Sequence, residues 1–123
     1  MSGFMKQPGP DHPITIERMD TRVHVRFAGR IVADTTRALA LREASYPVVY
    51  YIPRADADMS LMKATRHSTH CPYKGDASYF TIVADGREAE NAVWSYEQPF
   101  PAVTEIKEYL AFYPNRVDAI EVG

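Results

Sequence analysis

The sixteen residues from Thr65 to Phe80, TRHSTHCPYKGDASYF, restrict the fold more than any other part of the chain. They hold two of the four histidines and the only cysteine, around a Pro-Tyr-Lys-Gly turn. Proline fixes φ and glycine tolerates positive φ, so Pro72–Asp76 reads as a tight turn between two strands. A hairpin needs partners, and two stand close by. Val48–Ile52, VVYYI, is β-branched and aromatic throughout and reads as a buried strand. Ala77–Ala84 and Glu88–Glu97 flank Asp85-Gly86, a pair that favours a two-residue hairpin because both positions need positive φ.

The rest of the chain follows the same pattern. Val23, Val25 and Phe27 alternate with Arg22, His24 and Arg26, which predicts a half-buried strand with His24 on its solvated face. Asp20-Thr21 is read as the hairpin turn joining it to Ile14–Met19. Ile31–Thr35 and Val117–Val122 are further strands. Ala38–Glu43 is either strand or helical turn, and the alternation of Leu39 and Leu41 favours strand. Two short helices are expected. One lies within Ala55–Lys63, capped by Asp56 or Asp58. The other covers Ala102–Leu110, where Val103, Ile106 and Leu110 share one face. Residues 1–13, rich in proline and glycine, are expected to form a mobile arm before a single domain over 14–123. The predicted class is mainly β.

Composition narrows the function. A chain of 123 residues suffices for one domain with its own core. Its 14 Lys and Arg against 16 Asp and Glu give a formal charge of −2. That balance argues against nucleic acid as partner, since such binding rests on phosphate neutralisation by a basic face. A single cysteine excludes an internal disulfide and a Cys-x-x-Cys knuckle. No apolar run approaches the roughly 20 residues of a membrane span. No signal-peptide core is read at the start, and Ser2 excludes myristoylation. The expectation is a cytoplasmic protein with no membrane partner and no cofactor.

Several strings resemble a known family together: Val32-Ala33-Asp34-Thr35, Glu43-Ala44-Ser45-Tyr46-Pro47, Tyr50-Tyr51-Ile52-Pro53, Thr69–Tyr79, Trp94-Ser95-Tyr96-Glu97 and Leu110-Ala111-Phe112-Tyr113. They are similar to the bacterial and fungal family known as domain of unknown function 427, over about residues 14–122. The resemblance implies a β-tent, in which two antiparallel sheets lean together and enclose a cleft. Related tents, the drug-binding domain of cereblon and methionine sulfoxide reductase B, carry zinc knuckles of paired cysteines. Here Cys71 stands alone, so the resemblance supplies neither structural zinc nor a resolving cysteine. It implies a fold and no reaction.

Candidate chemistry comes from the residues themselves. Tyr50, Tyr79, Trp94 and Tyr96 lie on strands expected to be neighbours, and would give a cleft apolar walls with hydroxyl and indole donors; core packing is the plain alternative. Lys74 in the turn offers a cation to an anionic group, or is simply exposed. Glu43, Arg37 and Arg54 are the charges placed to reach the cleft, or to pair on the surface. Cys71 with His67 or His70 has the makings of a nucleophile and base, although neighbours on a regular strand diverge. The same divergence argues against His67 and His70 as a metal pair, unless a bulge intervenes.

Three functions follow. The first is a small-molecule-binding module lined by Tyr50, Tyr79, Trp94 and Tyr96, with Lys74, Glu43 and Arg54 as polar contacts. The second is a hydrolase or transferase using Cys71 or a Glu43–Lys74 pair. The third is an interaction domain that self-associates, as a homodimer, through an edge strand at Arg22–Arg26.

Overall fold

A computed structural model describes residues 5–123. Ten strands make the expected mainly β fold, and the helical segments are 3-10 turns. The strands are β1 (Ile14–Arg18), β2 (Val23–Phe27), β3 (Arg30–Thr35), β4 (Leu39–Glu43), β5 (Val49–Tyr51), β6 (Met62–Cys71), β7 (Gly75–Ala84), β8 (Arg87–Tyr96), β9 (Ala111–Phe112) and β10 (Ala119–Val122). They form three antiparallel sheets, ordered β1-β4-β5, β10-β2-β3 and β6-β7-β8-β9. Among the described residues no helix is long and apolar enough to cross a membrane.

The four-stranded sheet organises the rest because both of its faces are covered. Phe80 sits opposite Val93, and Tyr79 opposite Trp94. Adjacent strand residues point to opposite faces, so these pairs belong to different layers. Phe80, Ile82 and Val93 pack with Val23, Val25 and Val32 from the β10-β2-β3 sheet. Ala77, Tyr79 and Tyr96 pack with Leu39, Leu41 and Tyr51 from the β1-β4-β5 sheet. A reciprocal bridge between Ile52 and Leu110, both hydrogen bonds 2.8 Å, joins the end of β5 to the start of β9. The β1-β4-β5 and β6-β7-β8-β9 sheets are thus tied together at one end, with space left between them.

The hairpins read from turn chemistry are present. Asp85 and Gly86 adopt φ of 51° and 79° between β7 and β8. β6 and β7 pair from Cys71–Gly75 to Met62–Ile82, with a bulge between Ala64 and Ser68.

Five local expectations change. Asp20-Thr21 does not close a hairpin: β1 pairs with β4 and β2 with β3 and β10, so this link crosses between sheets. For the same reason Arg22–Arg26 is no free edge, since β2 is the central strand of its sheet. His24 is buried, at 6% exposure, because β10 brings Glu121 alongside and the imidazole Nε2 bonds its carboxylate at 2.6 Å. The region read as helix at Ala102–Leu110 is a 3-10 segment, Pro101–Ile106, broken where Val103 has φ −127° and ψ 31°. Its apolar set is still buried: Val103, Ile106 and Leu110 are all closed to solvent. The helix expected within Ala55–Lys63 is likewise two 3-10 turns, Arg54–Asp56 and Met59–Leu61, with the Asp58 side chain capping the second.

The β6–β7 turn depends on one backbone angle. Gly75 has φ +114°, and a Cβ there would come 3.5 Å from the Gln98 carbonyl oxygen and 3.6 Å from the Phe100 nitrogen. Contact distances of that order are tolerable, so the cost of a side chain is conformational. Gly75→Ala should therefore lose about 1–3 kcal/mol of stability by chemical denaturation. A loss near zero would show that the turn relaxes freely.

Candidate functional site

The space between the β1-β4-β5 sheet and the β7-β8 face is a cavity of about 320 Å³. Its apolar wall is Leu41, Val49 and the Trp94 ring, and its polar groups are Glu43, Lys74 and a set of tyrosines. Each polar group comes from a different part of the chain. Glu43 ends β4, Lys74 lies in the turn before β7, Tyr51 ends β5, and Tyr79 and Tyr96 stand on β7 and β8.

Glu43 and Lys74 are both 8% exposed and bonded to each other, the Lys74 ammonium donating to Glu43 Oε1. The Lys74 carbonyl accepts from Phe100 N–H at 3.0 Å, which anchors the turn that carries it. The second Glu43 oxygen lies 2.7 Å from His12 Nε2, which donates to it. His12 in turn stacks on Tyr73 with ring centroids 3.9 Å apart and planes 6° from parallel. Backbone bonds hold the segment around it: Lys6 N–H to the Pro72 carbonyl at 2.7 Å, and Ala44 N–H to the Pro13 carbonyl at 2.8 Å. Burial raises the Glu43 carboxyl, but the hydrogen bonds from Lys74 and His12 outweigh it and leave the group below its usual 4.5.

The tyrosines fall into two kinds. The Tyr79 hydroxyl is engaged, 2.9 Å from Thr69 Oγ1 and 3.2 Å from the Tyr113 hydroxyl. Burial and the Tyr79 contact push Tyr113 up to about 12. Tyr51 accepts from the Trp94 indole N–H at 3.3 Å. Tyr96 is 6% exposed, lines the cavity, and has no hydrogen-bond partner among the described residues. Desolvation drives both the Tyr51 and Tyr96 phenols far above the usual tyrosine value. Both remain neutral O–H groups throughout the physiological range.

The residues singled out from sequence divide accordingly. Glu43, Lys74, Tyr79, Trp94 and Tyr96 all line this one cavity. Tyr50 does not; it points to the opposite layer, and its neighbour Tyr51 takes the cavity position. Arg54 is held outside, donating to Ser95 Oγ at 2.9 Å and the Glu108 carbonyl at 3.1 Å. Arg37 pairs with Asp56 at 3.1 Å on the surface. Cys71 packs half-buried beside the Leu41–Tyr51 cluster. Neither histidine pairs with it: His70 bonds Asp76 at 2.6 Å, and His67 meets Tyr79 edge-on at 4.5 Å. The bulge that would bring His67 and His70 together does exist in β6, yet the two rings still go to different neighbours. His12, Tyr51, Thr69 and Tyr113 complete the site and were not singled out. His12 lies in a stretch without periodicity, and VVYYI is apolar on both faces, so neither carried a signal.

The arrangement defines a mainly β protein with a tyrosine-rich cavity built on a buried ion pair. A family model described as a domain of unknown function (DUF427) matches residues 15–123, and the chain belongs to that family. No curated protein matches the chain.

The Glu43 environment sets a pH dependence. Its carboxyl titrates lower in the folded protein than in the unfolded chain, so below its usual 4.5 the unfolded state binds more protons. The stabilisation is present above that value and is lost as pH falls through the folded one. Glu43→Gln should cost about 3 kcal/mol at pH 7 and flatten the acid limb of the stability curve. Denaturant unfolding between neutral and acid pH reads both; an unchanged acid limb would contradict the assignment.

Proposed function

We propose that the protein binds a small molecule in the tyrosine cavity, through acceptor oxygens of the ligand such as a carboxylate, carbonyl or phosphate. The Tyr96 hydroxyl carries the reading: it opens on the cavity and makes no hydrogen bond to another described residue, so its hydrogen is available to a ligand. Tyr51 stands alongside with its own hydrogen free to donate, since its oxygen already accepts from Trp94. Burial keeps both phenols protonated, so each has a hydrogen to donate. The nearby Lys74 ammonium, 6.0 Å from the Tyr96 ring, adds a positive field. Its charge is balanced by Glu43, which favours a ligand with a dispersed or single negative charge.

Catalysis has less support. Among the described residues no histidine is hydrogen-bonded to Cys71, and Glu43 is an ionised carboxylate already clamped by two donors.

A thermal-shift screen against metabolites bearing carboxylates, carbonyls and phosphates tests the reading. A binder at 100 times its dissociation constant should add about 2.7 kcal/mol of stability. Tyr96→Phe, which keeps the ring and the fold, should weaken such a hit by about 1–3 kcal/mol. No response at about 10 mM of any compound, or a hit indifferent to both Tyr96→Phe and Tyr51→Phe, overturns the proposal.

A further inference from the structure

Beside Trp94 lies a second cavity of about 250 Å³, which the ion pair does not line. Val23, Val25 and Phe112 form its floor, all buried, and Val48, Tyr50 and Val122 form its rim. The floor cannot easily collapse inwards, because Val23 and Val25 sit on β2, which is paired along both edges. No carboxylate, amine, guanidinium or imidazole lines the space. The Trp94 N–H is already given to Tyr51, so among the described residues the Tyr50 hydroxyl is the one side-chain polar group left to a ligand.

We propose that this is a separate binding site for an uncharged, ring-bearing molecule with at most one hydroxyl or carbonyl. A charged ligand would lose its hydration and find no counter-charge here, which excludes ions on energetic grounds. Flat apolar rings match walls made of Trp94, Phe112 and Tyr50, since aromatic faces stack or meet edge-on at little cost. The volume lies just below the usual range for ligand pockets, so the molecule is compact, of one or two rings. Val49 and Trp94 line both this cavity and the tyrosine cavity. The two sites thus share a wall but differ in chemistry, one offering donors and charge, the other almost none. The inference stands independently of the function proposed for the tyrosine cavity.

The chain has one tryptophan, so its emission reports on this wall alone. The probe is prodan, an uncharged naphthalene with one carbonyl, whose emission strengthens and moves to the blue in apolar surroundings. Titration should give saturable enhancement with one dye per chain and quenching of Trp94 emission. Val122→Glu and Val48→Glu place an unpaired carboxylate on the rim, and each should weaken binding about tenfold or more. Val122 is 44% exposed, so its variant keeps the fold and decides the matter if the other does not. Tyr96→Phe should leave dye affinity unchanged. The proposal is overturned by absent saturation, by rim variants within about twofold of the parent, or by an affinity that follows Tyr96 instead of the rim.

Discussion

The buried contact between Glu43 and Lys74 joins distant parts of the chain. It links the end of β4 to the turn between β6 and β7, and through His12 it also holds the segment before β1. Two charges so far from water are not stabilising in themselves, and a well-packed apolar pair of the same volume often does as well. What the pair contributes is position. Once Lys74 is tied to Glu43, the turn must face the β1-β4-β5 sheet, and the space between them stays open rather than closing as core.

That space explains why this small domain carries so many tyrosines in its interior. Tyr79 and Tyr113 satisfy each other with Thr69, and Tyr51 satisfies Trp94. Tyr96 is the exception: its hydroxyl bonds no described residue and opens on the cavity instead. Trp94 forms the partition between a polar cavity and an apolar one, so the same residue takes part in two environments of opposite character.

The parts of this structure legible in the sequence are those set by local chemistry. Asp85-Gly86 and Pro72–Gly75 announce their turns because few residues accept those backbone angles, and the strands between them follow. Glu43, Lys74, Tyr79, Trp94 and Tyr96 were identifiable because turn and strand placement brings them to one side. What was hidden depends on pairing between distant segments. The partner of β1 is β4 rather than β2, which no turn residue reveals. His24 alternates with apolar residues and reads as solvated, yet β10, nearly a hundred residues later, buries it. The choice between Tyr50 and Tyr51 turns on the phase of a run that is apolar at every position. His12 lacks any pattern at all; its role comes only from the Tyr73 ring beneath it.

The most direct measurement is a double-mutant cycle on Glu43→Gln and Lys74→Met, read by denaturant unfolding at neutral pH. If the pair positions the turn against the sheet, the double variant should be less destabilised than the sum of the singles, by about 2–3 kcal/mol. Costs that add to within about 0.5 kcal/mol would mean that the two charges act separately and that something else keeps the cavity open.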